Sequence, residues 1–277
     1  MLTDYHVHLR RDEPEHTAEE AFTPANADRY RTVATERGIS ELGVSEHIYR
    51  FTRALELWDH PMWREHAVDD LDSFCAFVRD ETDLRLGIEA DFVPGREDRT
   101  ATLLASHDFD YVIGSVHFVG DAAVDYERYD VWRTGRSAER IWRSYFALVA
   151  EAARSGLFDI VGHPDLVKVW GPERPVPGGD LRFYYEPAVE AFAEAGVAIE
   201  VSTAGWRKPA NELYPSRPLL EMCVDAGCPI ALSSDAHVPD ELGYRYDDAI
   251  DHLAEAGVDQ LCVFEQRCRR LEPIGAE

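Results

Sequence analysis

Residues 138–163, AERIWRSYFALVAEAARSGLFDIVGH, contain the unit from which the rest of the chain can be read. Ala138–Arg154 reads as a helix that Gly156 stops. Phe158–Val161 then reads as a short strand, and His163 stands where it ends. The same order recurs on both sides. Upstream, Leu2–Val7 is a strand ending in His6 and His8, and Pro24–Arg37 a helix closed by Gly38. Ile39–Ser45 ends in Glu46 and His47, helical sequence runs from Glu65 to Thr82, Leu84–Ile88 ends in Glu89, and Tyr111–Val116 ends in His117. Downstream, the helix Tyr185–Ala195 stops at Gly196, and the strand Val197–Val201 ends near Ser202 and Thr203. The helix Leu219–Ala226 stops at Gly227, and the strand Pro229–Leu232 ends in Asp235 and His237. Asp240–Ala256 is helical, and Gln260–Phe264 reads as a last short strand.

Unbroken alternation of strand and helix predicts a parallel sheet covered by helices. Most of the strands are near-continuous apolar runs, as strands covered on both faces should be. A barrel brings the C-terminal ends of its strands together on one face, which carries the chemistry. An open sheet would string those ends along a line, and one compact site could not use them all. With His, Glu or Asp at nearly every end, the expected fold is an α/β barrel.

Bulk properties narrow the function. The 277 residues suit one such barrel as a single domain over 1–277, and a chain of this size buries roughly three quarters of its unfolded surface. Composition is ordinary at 45% hydrophobic and 29% charged, but 53 Asp and Glu against 28 Lys and Arg give a net charge of −25. Such a field repels nucleic-acid backbones and anionic membranes. A phosphate ester could bind only where something local reverses the field, as metal ions would. The cysteines Cys75, Cys223, Cys228, Cys262 and Cys268 are odd in number and form no CxxC, so a disulfide framework or zinc ribbon is not expected. Met1 leads directly into LTDYHVH, and no run of about 18 apolar residues exists. The expectation is a cytoplasmic protein with reduced thiols, no secretory signal and no membrane span.

His6 and His8 flank Val7, so in a strand both imidazoles share a face. Taken singly, each strand-end residue has a bland alternative: His117 and His163 as core histidines, Glu89 as a solvated charge, Asp235 as an Asx-turn. Together, His6, His8, Glu89, His117, His163 and Asp235 come from five strand ends, and imidazole and carboxylate are the ligands that suit zinc, iron or manganese. Two metals bridged by Glu89 would use them fully, activating water and clamping the oxygens of an in-line displacement. His47 and His237, with Asp12 or else His16 from the loop RRDEPEHTAEE, could form a third site beside the pair.

The ordered segments DYHVH (4–8), SEH (45–47), GIEADF (87–92), GSVHF (114–118), GHPD (162–165) and SSDAH (233–237) resemble the polymerase-and-histidinol-phosphatase (PHP) superfamily. STAGWRKPANELYPS (202–216) followed by SSDAHVPDELG resembles its histidinol-phosphate phosphatase branch more narrowly. The resemblance implies a distorted seven-stranded (β/α) barrel, TIM-barrel-like, with two or three divalent ions of zinc, manganese or iron. Carried over, the first metal takes His6, His8, Glu89 and Asp235, the second Glu89, His117 and His163, and the third Asp12, His47 and His237. It implies hydrolysis of L-histidinol phosphate to L-histidinol and phosphate in histidine synthesis, with Glu89, Asp235 and His237 at the reacting centre. Arg207, Lys168 and Lys208 follow strand ends and are candidates for phosphate binding, with Ser216 and Tyr214 as further donors.

Three other readings compete. The cluster could serve another small phosphate ester or a nucleotide, although the acidic balance opposes a polynucleotide. The chain could be a PHP domain kept for metal binding or interaction alone, against which stands the completeness of its ligand positions. A metal-dependent amidohydrolase is the third, and GSVHF and GHPD fit it less well. Oligomeric state is not legible in the sequence.

Overall fold

A computed structural model of the protein describes residues 1–11 and 16–275. Seven strands form one parallel sheet in the order β1 (Thr3–Asp4), β2 (Glu41–Val44), β3 (Arg85–Asp91), β4 (Tyr111–Ser115), β7 (Ile160–Val161), β8 (Ala198–Ser202) and β9 (Ile230–Ser233). A small antiparallel hairpin, β5 (Phe118–Val119) with β6 (Ala122–Ala123), follows β4. The sheet curls until its edges meet. Val7 bridges Ala236, with the His8 amide donating to the Ala236 carbonyl at 2.8 Å and the Ala236 amide to the His6 carbonyl at 3.2 Å. The result is a nearly closed seven-stranded barrel wrapped by helices, the distorted TIM-like architecture.

Alternation along the strands sorts side chains between two environments. Val112, Val161, Ile199 and Leu232 point outward into the core shared with the helices. The helix Ala138–Arg154 contributes Tyr145, Phe146 and Val149 to that core, and Arg182–Ala195 contributes Ala188 and Phe192. Inward-facing Tyr111, Ile113, Ile160, Ala198 and Ala231 form a separate apolar cluster with Tyr5 inside the barrel. The Tyr111 ring lies flat across β2 and β3, where a Cβ at Gly43 or Gly87 would collide with it. Glycine is thus required there by close approach.

The predicted last strand exists, but not in the barrel. β10 (Gln260–Glu265) pairs antiparallel with β11 (Cys268–Pro273), and this hairpin closes the N-terminal mouth. Its Cys262 and Phe264 join the interior cluster, and Arg85 at the start of β3 reaches Glu265 at 2.8 Å. The predicted helical stretch 65–82 is two helices, Pro61–His66 and Leu71–Glu81. Asp70 restarts the second by accepting a bond from the Ser73 amide at 2.8 Å. The stretch 240–256 begins as a 3₁₀ turn, and its helix starts only at Tyr246, beyond Gly243 at φ 64°. The helix Glu97–Leu104 was not anticipated. Among the described residues, no helix is long and apolar enough to cross a membrane.

Candidate metal centre

Two residues beyond the apolar layer, the same inward faces turn polar. Ile113 is followed by Ser115 on β4, Ala198 by Glu200 on β8, and Ala231 by Ser233 on β9, all buried. Glu89, on the inward face of β3, stands at the centre of what these strands hold. Its Oε2 lies 3.4 Å from His6 Nε2 and 3.7 Å from His8 Nε2, and it also contacts His47 Nδ1. Its Oε1 lies 3.4 Å from His117 Nε2 and 3.1 Å from His163 Nε2, and accepts a bond from Ser115 Oγ at 2.7 Å. Asp235 Oδ1 completes one side, 3.6 Å from His6 Nε2, 3.4 Å from His8 Nε2 and 3.7 Å from His237 Nδ1. The His8 ring packs against those of both His47 and His237, with centroids 4.1 and 4.3 Å away, and those two rings lie 5.6 Å from each other. The structure therefore gathers His6, His8, His47, Glu89, His117, His163, Asp235 and His237 into one cluster.

These spacings suit cations better than hydrogen bonds. Two ligands each about 2.0–2.1 Å from a tetrahedral ion lie about 3.3 Å apart. Among the described residues, His6 Nε2, His8 Nε2, Glu89 Oε2 and Asp235 Oδ1 are buried without a hydrogen-bond partner, a cost of about 1–3 kcal/mol per group when nothing binds there. Among the described residues, three sets of ligand atoms each fall within 4.8 Å: His6, His8 and Asp235; His6, Glu89 and His163; His8, His47 and His237. The electrostatics agree. Burial opposes ionising Glu89, yet His47, His6 and His117 hold its carboxyl well below the usual range. Burial likewise opposes charging His6 and His117. Glu200, Asp235 and Glu89 nonetheless raise His6 well above its ordinary value, and Asp91 and Glu89 do so for His117. The cluster demands positive charge, which metal ions supply while releasing the histidine protons. His163 (φ 26°) and Asp235 (φ 51°) hold left-handed backbone, a conformation that costs energy and collects at functional sites.

Two further carboxylates orient the ring. Glu200 Oε1 is 2.7 Å from His6 Nδ1, and its Oε2 accepts the His163 amide at 2.5 Å. Asp91 Oδ1 is 2.8 Å from His117 Nδ1. Each leaves the Nε2 of its histidine aimed at Glu89, the arrangement that fixes the tautomer of a metal-binding imidazole. Strand-end reading missed both. The available signals were a charge inside the apolar strand AIEVS and the two-residue spacing that puts Asp91 on the face of Glu89. Glu46, considered beside His47, instead accepts the amides of Leu9 at 2.7 Å and Arg10 at 3.1 Å and pairs with Arg50. Burial opposes its charge, but Arg50 and His8 bring its pKa down to about 2.

The cluster opens into a cavity of about 430 Å³ lined by Tyr49, Phe118, Asp125, Tyr126, Trp170, Lys208 and Tyr214, among others. Of the expected phosphate-binding residues, Lys208 and Tyr214 line this space. Arg207 lies behind it, Nη2 donating to the carbonyls of Ser234 and Asp235 at 2.9 Å each, while Nη1 is buried without a hydrogen-bond partner among the described residues. Lys168 and Ser216 line a different cavity. The Lys168 ammonium turns to Asp165 at 2.9 Å and Glu212 at 3.1 Å, and Ser216 donates to Tyr185 at 3.3 Å. Position just after a strand end gives Lys168 no direction, nor does its place in ELYPS give Ser216 one, and both side chains turn away. Asp12 lies outside the described residues, and His16 lines a separate depression with Arg11 and Tyr30.

Residues 23–204 match the PHP domain family model. The span omits the first and last strand ends, so His6, His8, Asp235 and His237 join the site on geometry alone. A probable histidinol-phosphatase of Deinococcus radiodurans is 37% identical over 235 residues, 82% of this chain and 86% of that protein. The histidinol-phosphatase of Bacillus subtilis is 24% identical over 240 residues, 79% of this chain and 90% of that protein. The crystal structure of histidinol phosphate phosphatase from Lactococcus lactis subsp. lactis, complexed with zinc, L-histidinol and phosphate, matches with a TM-score of 0.73. Identity is 20%, with coverage of 97% of this chain and 98% of that one. At that identity the likeness shows the fold.

Proposed function

This chain belongs to the PHP domain family, and from that premise we propose that it is a metal-dependent phosphatase hydrolysing L-histidinol phosphate to L-histidinol and phosphate. The observation that carries the chemistry is the set of buried, unpartnered imidazole and carboxylate atoms converging on Glu89. The substrate follows from the relative at 37% identity over most of both chains. We take residues 1–277 as one metallohydrolase domain. The five cysteines, all free, agree with a cytoplasmic home.

The donor set fits divalent zinc, manganese or iron. His6, His8, Glu89 and Asp235 would hold one ion, and Glu89, His117 and His163 a second. His47 and His237 would hold a third with a ligand from the early loop. When bound, such ions neutralise phosphate oxygens and supply a water acidic enough to attack near neutral pH. Glu200 and Asp91 keep His6 and His117 presenting Nε2. Arg207 holds the Ser234 and Asp235 carbonyls, which fixes the turn carrying Asp235. Lys208 in the cavity wall adds a cation for the phosphate in a protein whose net charge would otherwise repel it.

Phosphate release tests the reading. Protein reloaded with zinc, manganese or iron should release phosphate from L-histidinol phosphate in preference to sugar phosphates and nucleotides, and a chelator should stop it. Metal-dependent release from other esters with histidinol phosphate poor would keep the site and discard the substrate. Metal bound with no release from any ester would discard the hydrolase.

A further inference from the structure

Asp125 sits in the wall of the cavity beside His117 and His163, yet it ends no barrel strand. It follows the hairpin β5–β6, and its position is held through the residue before it. The Val124 amide donates to the His117 carbonyl at 2.8 Å, and Trp170 Nε1 donates to the Val124 carbonyl at 2.7 Å. Asp125 is thereby tied both to a residue of the cluster and to the far wall. Its carboxylate is partly buried and makes no ion pair and no hydrogen bond with another residue among the described residues. That contrasts with the carboxylates that orient the cluster, since Asp91 and Glu200 are each committed to a histidine.

A carboxylate committed to no partner side chain is out of place in a cavity that must admit a phosphate dianion, because it repels that group. It becomes useful when the same substrate carries a positive charge some distance from its phosphate. The flanking walls suit such a group, since Tyr49, Tyr126 and Trp170 line the same cavity and aromatic rings attract cations. We propose that Asp125 binds a cationic nitrogen, ammonium or imidazolium, on the alcohol portion of the substrate, and so selects amine-bearing phosphate esters from neutral ones. The inference rests on the phosphatase reading for its chemistry and assigns the residue that reads the leaving group.

The test compares L-histidinol phosphate and phosphoethanolamine with propyl phosphate and glycerol phosphate on the metal-loaded enzyme and its Asp125→Asn variant. All four leave as alkyl alcohols, so a role for Asp125 in protonating the leaving group would depress every rate alike. A role in holding metal would do the same and lower the bound metal as well. The expected result is a loss of about 10- to 100-fold in kcat/KM for the amine-bearing esters, carried mainly by KM. Neutral esters and metal content should stay unchanged, and Asp125→Glu should recover part of the selectivity. Equal losses on neutral and cationic esters would overturn the proposal, as would unchanged selectivity. A wild-type enzyme poor on L-histidinol phosphate but selective for phosphoethanolamine over propyl phosphate would remove the named substrate and leave Asp125 to the same comparison. No preference for any amine-bearing ester would overturn the role of Asp125.

Discussion

At the N-terminal end of the barrel interior, Tyr5, Tyr111, Ile113, Ile160, Ala198 and Ala231 pack against Cys262 and Phe264 of the closing hairpin. The polar atoms there find partners. Tyr111 donates to the Tyr5 carbonyl at 2.6 Å, and Tyr5 Oη accepts the Phe264 amide at 3.2 Å. Two residues further along the same strands, the interior is filled by Glu89, Ser115, Glu200 and the histidines, and several buried atoms have no partner. Strand register cannot account for the contrast, because β3–β4 and β8–β9 pair continuously through both layers. Side chains alone change. One layer gains stability from burial and complete pairing, while the other gives up stability and awaits a ligand. A barrel can separate the two because neighbouring inward layers share a backbone and little else.

The hardest blow to this contrast would come from Glu89→Gln or Asp235→Asn. Each removes a charge from the end held to be functional and keeps its shape. Turnover of L-histidinol phosphate should fall by about three orders of magnitude or more, and bound metal, measured by elemental analysis, should drop with it. Thermal unfolding should stay cooperative, since the closed end is untouched. Near-normal turnover in either variant would show that the unpaired cluster is not the reacting centre.

Glu200→Gln probes the boundary. Glu200 stands directly after the apolar layer, binding His6 Nδ1 and the His163 amide and accepting from Ser233. Its removal should weaken metal binding or kcat/KM by about 10- to 100-fold, a smaller loss because it acts through His6. Excess metal should restore part of the activity, which a merely structural role would not allow. Failure of added metal to rescue, together with a collapsed melting temperature, would move Glu200 into the packing layer.

The contrast also explains what could be read in advance. Barrel strands are visible as apolar runs, and a ligand at the end of a run is visible as the residue that breaks it. His117 in GSVHF and His163 in GHPD are of that kind. Glu200 and Asp91 lie within strands, where only the alternation of faces distinguishes an inward carboxylate from a surface one. Asp125 follows a hairpin of two-residue strands whose register no periodicity reports. Lys168 was placed by proximity to a strand end and Ser216 by its place in ELYPS, but the direction of a loop side chain depends on its partners, here Asp165 for Lys168 and the distant Tyr185 for Ser216. The last strand was legible as a strand and not as a plug, because its antiparallel partner, CRRLEP, is mostly exposed and lacks the apolar run of a barrel strand.

Tyr111→Phe gives the smallest expected effect and the cleanest view of the closed end. The phenyl ring keeps its place across Gly43 and Gly87, so packing is preserved and only the hydroxyl is lost. That hydroxyl is the donor to the buried Tyr5 carbonyl. Leaving the acceptor without it should cost about 1–2 kcal/mol, and a domain of this size loses about 2–4 °C in melting temperature for each kcal/mol. Because Tyr5 directly precedes His6, a loosened Tyr5 could be supposed to disturb the cluster. The structure argues otherwise, since His6 is held independently by Glu200 and by the bond from the Ala236 amide to its carbonyl. The variant should therefore melt earlier and turn over normally per folded molecule. If kcat/KM or bound metal fell together with the melting temperature, the two layers would be energetically one, and the division between a stabilising end and a reacting end would fail at the residue pair where they touch.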